Sequence, residues 1–451
     1  MYYSPKLKQI PRTYSVSHSH PSRLRFFSAR QLDQIPQITK LPHEVRFAMQ
    51  VVARVLPFRV NQYVIENLID WDNVPDDPIF KLTFPQPDML KKKHFDRMAN
   101  MLRKGTDEKQ IRTVANEIRT ELNPHPAAQQ ILNVPVLNGR PLKGIQHKYR
   151  ETVLFFPRQG QTCHTYCTFC FRWAQFVGID ELRFSAGKTS DLYQYLAEQK
   201  DVTDLLLTGG DPMVMETSLL RKYLRPLLQP EFEHIHNIRI GTKSLTYWPY
   251  RYVSDSDADD LLRLMGRMVK GGKHLAIMAH YNHWQEMETP IARKAIRRIR
   301  ATGAVIRSQS PIVKHINDDP EIWARMWRTQ VNLGIVPYYS FIARNTGACH
   351  YFELPLAKAF EIYHNAIQKV SGLARTVRGP SMSSIPGKIE IQGIAEINNE
   401  KVFVLRFIQG RNPEWVQRPF FAHFDPEATW LNQLRPAFGA KKFFYQDELK
   451  A

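Results

Sequence analysis

The sequence predicts an α/β protein built on a partial, TIM-like (β/α)6 barrel, with an N-terminal helical region before it and a β-hairpin and extension after it. Three observations carry this expectation. Near residue 150 the texture changes from helical periodicity to short apolar runs separated by longer amphipathic stretches, six such runs can be counted, and polar clusters directly follow them. Strands that alternate with helices favour parallel βαβ units with right-handed crossovers, and these close toward a barrel.

From about 40 to 130, the stretches LPHEVRFAMQVVARVLPFRVNQYVIENLI and FDRMANMLRKGTDEKQIRTVANEI space apolar residues at three and four, the period of a helix with one buried face. The six apolar runs lie at 153–156, 204–207, 238–241, 275–279, 304–309 and 336–342. Barrel chemistry gathers at the C-terminal ends of the strands. There the sequence places Gly209-Gly210-Asp211, Thr242-Lys243, His280, Gln309 and Arg344-Asn345. After 386, KIEIQGIAEINNEKVFVLRFI alternates like a hairpin around a polar Asn-Asn-Glu turn, and the tail is aromatic and Pro-rich. The expected divisions are 1–140, tail and helical region; 141–375, barrel; and 376–451, C-terminal segment and extension.

With 451 residues, 43% hydrophobic and 23% charged, the chain can bury one large core and a smaller layer. No run approaches the roughly 18 apolar residues of a membrane span, and the opening segment lacks the apolar core of a secretory signal. A cytoplasmic protein is expected, with no membrane partner. The opening is basic, with no acid before Asp33, and reads as a tail. A net charge of +19 attracts nucleic acid, membrane surfaces or anionic metabolites, but the basic residues are scattered and no RNA-binding motif is present. A basic RNA-binding protein with a structural metal site is the non-enzyme alternative; it leaves Gly209-Gly210-Asp211 unexplained.

Three of the four cysteines fall within eight residues, in Cys163-His-Thr-Tyr-Cys167-Thr-Phe-Cys170, immediately after the first strand. Thiolates at this spacing can converge on one small site, and they are the ligands that iron–sulfur clusters require. A structural zinc site needs a fourth protein ligand, for which His164 is the neighbour at hand. The alternative is a four-iron cluster with one iron left open to a cofactor or substrate.

This motif, with Phe169 before its last cysteine, resembles the signature of the radical S-adenosylmethionine (SAM) superfamily. The resemblance implies a [4Fe-4S] cluster on Cys163, Cys167 and Cys170 whose open iron is chelated by SAM, and cleavage of SAM to a 5′-deoxyadenosyl radical. TDLLLTGGDP resembles the superfamily's turn beside the SAM amino group, which implicates Gly209, Gly210 and Asp211. A closer resemblance, over roughly residues 40 to 410, is to the lysine 2,3-aminomutase family: HKYRETVLFF, RIGTK, AHYNH, SQS and PYYSF fall in the family's order. By that likeness His280 and Gln309 contact SAM. Lys148 and Tyr149 match a basic–aromatic pair near the phosphate of pyridoxal 5′-phosphate (PLP), and Arg150 is the expected stand-in for a family arginine that here falls on Thr152. Lys388, in GPSMSSIPGKIEI, matches the lysine that carries PLP; a buried lysine with a lowered pKa suits a bond to an aldehyde.

The same resemblance makes Arg172 the residue that holds the substrate's α-carboxylate, which its planar fork suits. Where the lysine enzymes grip the distal ammonium with two aspartates, this chain has Arg344 and Ser381. A cationic substrate side chain facing Arg344 is repelled. The expected activity is therefore that of an isomerase, a 2,3-aminomutase turning an α-amino acid with an acidic or polar side chain, such as glutamate, into its β-amino isomer. Lysine 2,3-aminomutase proper is the alternative. An electron donor such as flavodoxin or ferredoxin is implied. The family's cysteines for an interface zinc are absent, so that zinc is expected to be missing, and a homo-oligomer stays open.

Overall fold

A computed structural model describes residues 24–123 and 132–449; the basic opening segment read as a tail lies, up to residue 23, outside the described residues. The N-terminal region holds three longer helices, α1 (His43–Val55), α2 (Lys92–Arg103) and α3 (Glu108–Leu122), each with its apolar stripe turned inward. Asp107 caps α3 by accepting from the N–H groups of Lys109 and Gln110. The helical period expected through 41–69 is interrupted. Pro57 has no N–H to donate and disfavours helical backbone at Leu56, which is extended at φ −91° and ψ 146°. The chain instead enters a short strand, Arg59–Asn61, paired antiparallel with Phe26–Ser28.

One eleven-stranded sheet carries the rest. In chain order its strands are β1 (Ile145–Tyr149), β2 (Thr152–Phe155), β3 (Asp204–Leu207), β4 (Asn237–Thr242), β5 (His274–His280), β6 (Val305–Ile312), β7 (Val336–Ile342), β8 (Arg378–Ser383), β9 (Gly387–Ile397), β10 (Glu400–Gly410) and β11 (Pro419–His423). Strands β2 to β8 run parallel, while β1 and the β9–β11 group are antiparallel to their neighbours. Helices α4 (Thr189–Glu198), α5 (Thr217–Leu224), α6 (Ala258–Lys270), α7 (Pro290–Arg300), α8 (Pro320–Asn332) and α9 (Leu356–Ile367) make the crossovers. The six predicted runs are β2 to β7. A seventh parallel strand, β8, follows them; its sequence RGPSMS has no apolar run, and its burial comes from the strands on either side. The predicted hairpin is β9–β10, and Asn398 and Asn399 turn it with φ of 51° and 60°, the left-handed pair that a two-residue hairpin loop requires.

Two cores result. The larger fills the barrel and its helices; the second joins α1 to α3 with segments that follow the C-terminal ends of strands, including Trp173, Tyr247, Trp248, Val313 and Phe352. The N-terminal region therefore packs over the end of the barrel where chemistry is expected. Among the described residues no helix is long and apolar enough to cross a membrane.

Candidate active site

The cysteine loop leaves the end of β2 and is held by the N-terminal region. Arg59 donates from Nη1 to Thr162 Oγ1 at 2.6 Å, Tyr166 N–H donates to Arg59 O at 2.9 Å, and Thr168 N–H donates to Leu82 O at 2.9 Å. Asn61 is fully buried; its Nδ2 donates to His164 O at 3.2 Å and Tyr247 O at 2.7 Å, and its Oδ1 accepts from Val64 N at 3.0 Å. Asn61→Ala strands two buried carbonyls and one N–H, so it should destabilise the protein by about 2–4 kcal/mol in chemical unfolding. The same variant should bind less iron on anaerobic reconstitution, because the loop loses its clamp; a change below about 0.5 kcal/mol contradicts this.

On the barrel side, the Gly-Gly-Asp turn after β3 lies against the residues before the first cysteine. At Gly210 a Cβ would stand 2.3 Å from Thr162 O and 2.6 Å from Thr162 N, both backbone atoms that cannot yield. Asp211 N–H donates to Thr162 O at 2.7 Å. The Asp211 carboxylate is buried and already engaged: it accepts from Thr242 Oγ1 at 2.6 and 2.8 Å, Lys243 N at 2.9 Å and Met213 N at 2.9 Å. It braces the end of β3 to the end of β4, and burial holds its pKa up at about 6.

Burial pushes all three thiols up, Cys170 to about 12, and each charged sulfur would oppose the next. Thiolates can persist here only with a cationic centre beside them, which is what iron supplies. Tyr247 Oη lies 3.3 Å from Cys167 Sγ. His164, the possible zinc ligand, points its Nδ1 toward Asp211 Oδ2 at 4.0 Å, and burial lowers its pKa to about 3. Among the described residues no three His, Cys, Asp or Glu side chains converge on a single-ion site. A cubane presents a separate iron to each thiolate, so its ligands have no need to converge in that way.

The β5–β6 register sets His280 directly opposite Gln309. The His280 ring packs edge-to-face with Phe169 of the cysteine loop, centroids 5.7 Å apart, and its buried Nε2 has no hydrogen-bond partner. Arg172 is similarly provided: its guanidinium lies 4.2 Å over the Phe156 ring, and its buried Nε and Nη2 lack partners. Unsatisfied buried donors are rare, and here they stand beside the cysteine loop, where a polar cofactor and an anionic substrate would complete them.

A cavity of about 630 Å³ opens beside Lys388, lined by the basic side chains of Lys148, Arg239, Arg344, Lys388 and Arg411 and, among the described residues, by no carboxylate. Lys388 Nζ sits 3.9 Å from the Tyr339 ring centroid. Burial first, and then Arg239, Arg378 and Arg344, lower its pKa to about 7. Lys148 donates to Ser384 O, and burial, followed by Arg344, Arg411 and Lys388, lowers its pKa to about 6. Burial raises the neighbouring Tyr149. Arg344 lies 4.8 Å over the Phe171 ring, near Arg172.

Two sequence expectations are not met by the geometry. Arg150 is exposed and ion-paired to Glu151 at 2.9 Å, so it does not stand in for an arginine at position 152. Ser381 is fully buried, spends its hydroxyl on Ser340 O at 3.2 Å, and does not line the cavity beside Arg344. Two cations were missed. Arg239, ion-paired to Asp204 at 2.7 Å, could have been suspected as a charge in mid-strand within RIGTK; Arg411, just past β10, carries no local signal.

No protein-family model matches the chain. It is 31% identical over 396 residues to a protein of Aquifex aeolicus (strain VF5) described as "Putative L-lysine 2,3-aminomutase", covering 88% of this chain and 92% of that one. It is 26% identical over 234 residues to an L-lysine 2,3-aminomutase of Fusobacterium nucleatum, 52% of each chain. Among solved structures, a radical SAM methyltransferase from Sphaerobacter thermophilus superposes with a TM-score of 0.37 at 13% identity, over 66% of this chain and 94% of that one. Likeness at the level of the Aquifex protein, sustained along nearly the whole of both chains, is that of common descent, and the protein belongs to the lysine 2,3-aminomutase family of radical SAM isomerases.

Proposed function

We propose that the protein is a 2,3-aminomutase acting on an α-amino acid with an acidic or polar side chain, glutamate foremost, to form the β-amino isomer. The carrying observation is Arg344, which lines the cavity beside Lys388 where, among the described residues, no carboxylate does. A lysine side chain would bring its ammonium up to this guanidinium, whereas a glutamate side chain brings the opposite charge. When bound, the [4Fe-4S] cluster and SAM supply the radical that removes hydrogen, and PLP supplies the aldehyde that carries the migrating nitrogen. Cys163, Cys167 and Cys170 would hold the cluster. The Gly209-Gly210 turn, His280 and Gln309 would border SAM, with Asp211 as the brace that shapes the turn. Lys388, with Lys148 and Tyr149 nearby, would hold PLP.

The protein's own groups then have distinct tasks. With its pKa near 7, Lys388 offers an unprotonated amine at physiological pH. The two partnerless nitrogens of Arg172 suit one carboxylate bidentately, and Arg344 is placed for a second anion. Buried Phe156 packs against the Arg172 guanidinium, and Phe171 lies against that of Arg344. An electron donor such as flavodoxin or ferredoxin and a reducing, cytoplasmic setting fit an oxidisable cluster.

Anaerobic reconstitution with iron, sulfide and PLP, followed by SAM, a reductant and either glutamate or lysine, tests this directly. Mass-resolved chromatography should find the β-isomer of glutamate and none of lysine. Conversion of lysine would overturn the charge argument. SAM cleavage without an isomer of either would remove glutamate and direct the search to other polar amino acids.

A further inference from the structure

The turn Ser384-Ile385-Pro386, which leads into Gly387 and Lys388, is gripped by two basic side chains remote from it in sequence. Lys148, near the end of β1, donates from Nζ to Ser384 O. Arg411 donates from Nε to Ile385 O at 2.9 Å, and its backbone N–H donates to Pro386 O at 3.0 Å. Arg411 Nη2 is further aimed by Asn133 Oδ1 at 2.5 Å. Both side chains line the cavity, and the partners that fix them are neutral oxygens rather than carboxylates.

Like charges held together in a partly desolvated wall oppose one another: burial first, and then Arg344, Arg411 and Lys388, depress the ionisation of Lys148. Such an arrangement is unfavourable in the empty protein and becomes favourable when a dianion lies between the cations. Arg344 lines the same cavity and is an electrostatic neighbour of both Arg172 and Lys148, but only Lys148 and Arg411 hydrogen-bond the turn that carries Lys388. A cofactor that Lys388 held through its aldehyde would present its phosphate to the residues lining this cavity, among them Lys148 and Arg411.

We propose that Arg411 is a phosphate-binding residue that, with Lys148, holds the phosphate dianion of the cofactor against the turn bearing Lys388. This rests on the assignment of PLP to Lys388. A guanidinium suits the role because its fork can keep the Ile385 and Asn133 contacts and still present an N–H edge to phosphate oxygens.

The test compares PLP with pyridoxal, which keeps the aldehyde and lacks the phosphate, in equilibrium binding to the cluster-containing protein followed by the absorbance of the lysine-bound chromophore. Arg411→Met should weaken PLP binding roughly 10- to 100-fold and leave pyridoxal binding unchanged, the loss of one charge-assisted contact. Arg411→Lys should recover part of the loss. In the unaltered protein, inorganic phosphate should compete with PLP and leave pyridoxal binding intact, a measurement independent of any variant's folding. The proposal is overturned if PLP affinity is unchanged in Arg411→Met, if both aldehydes weaken equally, or if phosphate does not compete. If neither aldehyde gives the unaltered protein a chromophore that Lys388→Ala lacks, the PLP assignment itself fails, and the role of Arg411 falls with it.

Discussion

Replacing Lys388 with alanine should abolish the PLP-dependent chromophore and reduce amino migration to background, while iron bound by the cysteine loop stays at its normal level. The side chain is buried, stands over the Tyr339 and Phe341 rings, and is surrounded by arginines instead of carboxylates. Burial and the arginines outweigh the attraction of the two rings for the ammonium, and the neutral amine is the nucleophile. An arginine at this position would keep the charge but could not deprotonate, so Lys388→Arg should be as inactive as the alanine variant. A chromophore of normal intensity in either variant would show that another lysine carries the cofactor. The rate of PLP capture should also rise about tenfold per pH unit below about 7 and level off above it, following the neutral fraction of Lys388. The sign for stability is the same. Between about 7 and the ordinary lysine value of 10.5 the unfolded chain holds the extra proton, so the contribution of Lys388 becomes less unfavourable as pH rises through that window.

Arg172→Met should separate function from folding. Loss of a bidentate, charge-assisted grip on a carboxylate should lower kcat/KM by roughly 100-fold or more, about 3 kcal/mol. The empty protein should lose no thermal stability, because the guanidinium it gives up is buried with Nε and Nη2 unsatisfied, and methionine can pack on the Phe156 ring in its place. Arg172→Lys should not restore activity, since a point charge cannot reproduce the fork. A drop in melting temperature that accounts for the lost activity would make Arg172 a structural residue.

Much of the fold was legible because the signals are local. Each of β2 to β7 is an apolar run of strand length, the Asn398-Asn399 turn is written in two adjacent residues, and the cysteine loop and Gly-Gly-Asp turn are short strings at fixed offsets. Each local choice agrees with the global fold, which is why short patterns of periodicity, turn residues and spacing placed them. Where propensity and position disagree, the sequence was less informative. Strand β8 is a run of Gly, Pro and Ser that pairs because β7 and β9 flank it. Just past α1, Pro57 ends a helical period that the apolar spacing alone would have continued.

By itself, then, the sequence marked out the barrel, the cysteine loop and the Gly-Gly turn, and its resemblance to a family pointed to Lys388. The tertiary structure decided which cations share a cavity with that lysine. It set Arg150 outward on Glu151, buried Ser381 against Ser340, and brought in Arg239 and Arg411. It also tied Asn61 to His164, 103 residues away, Lys148 to Ser384, 236 residues away, and Asn133 to Arg411, 278 residues away. Periodicity records which face of an element is buried, within a few residues. Which charges meet inside the barrel depends on how strands from opposite ends of the chain are set side by side, and no local pattern carries that.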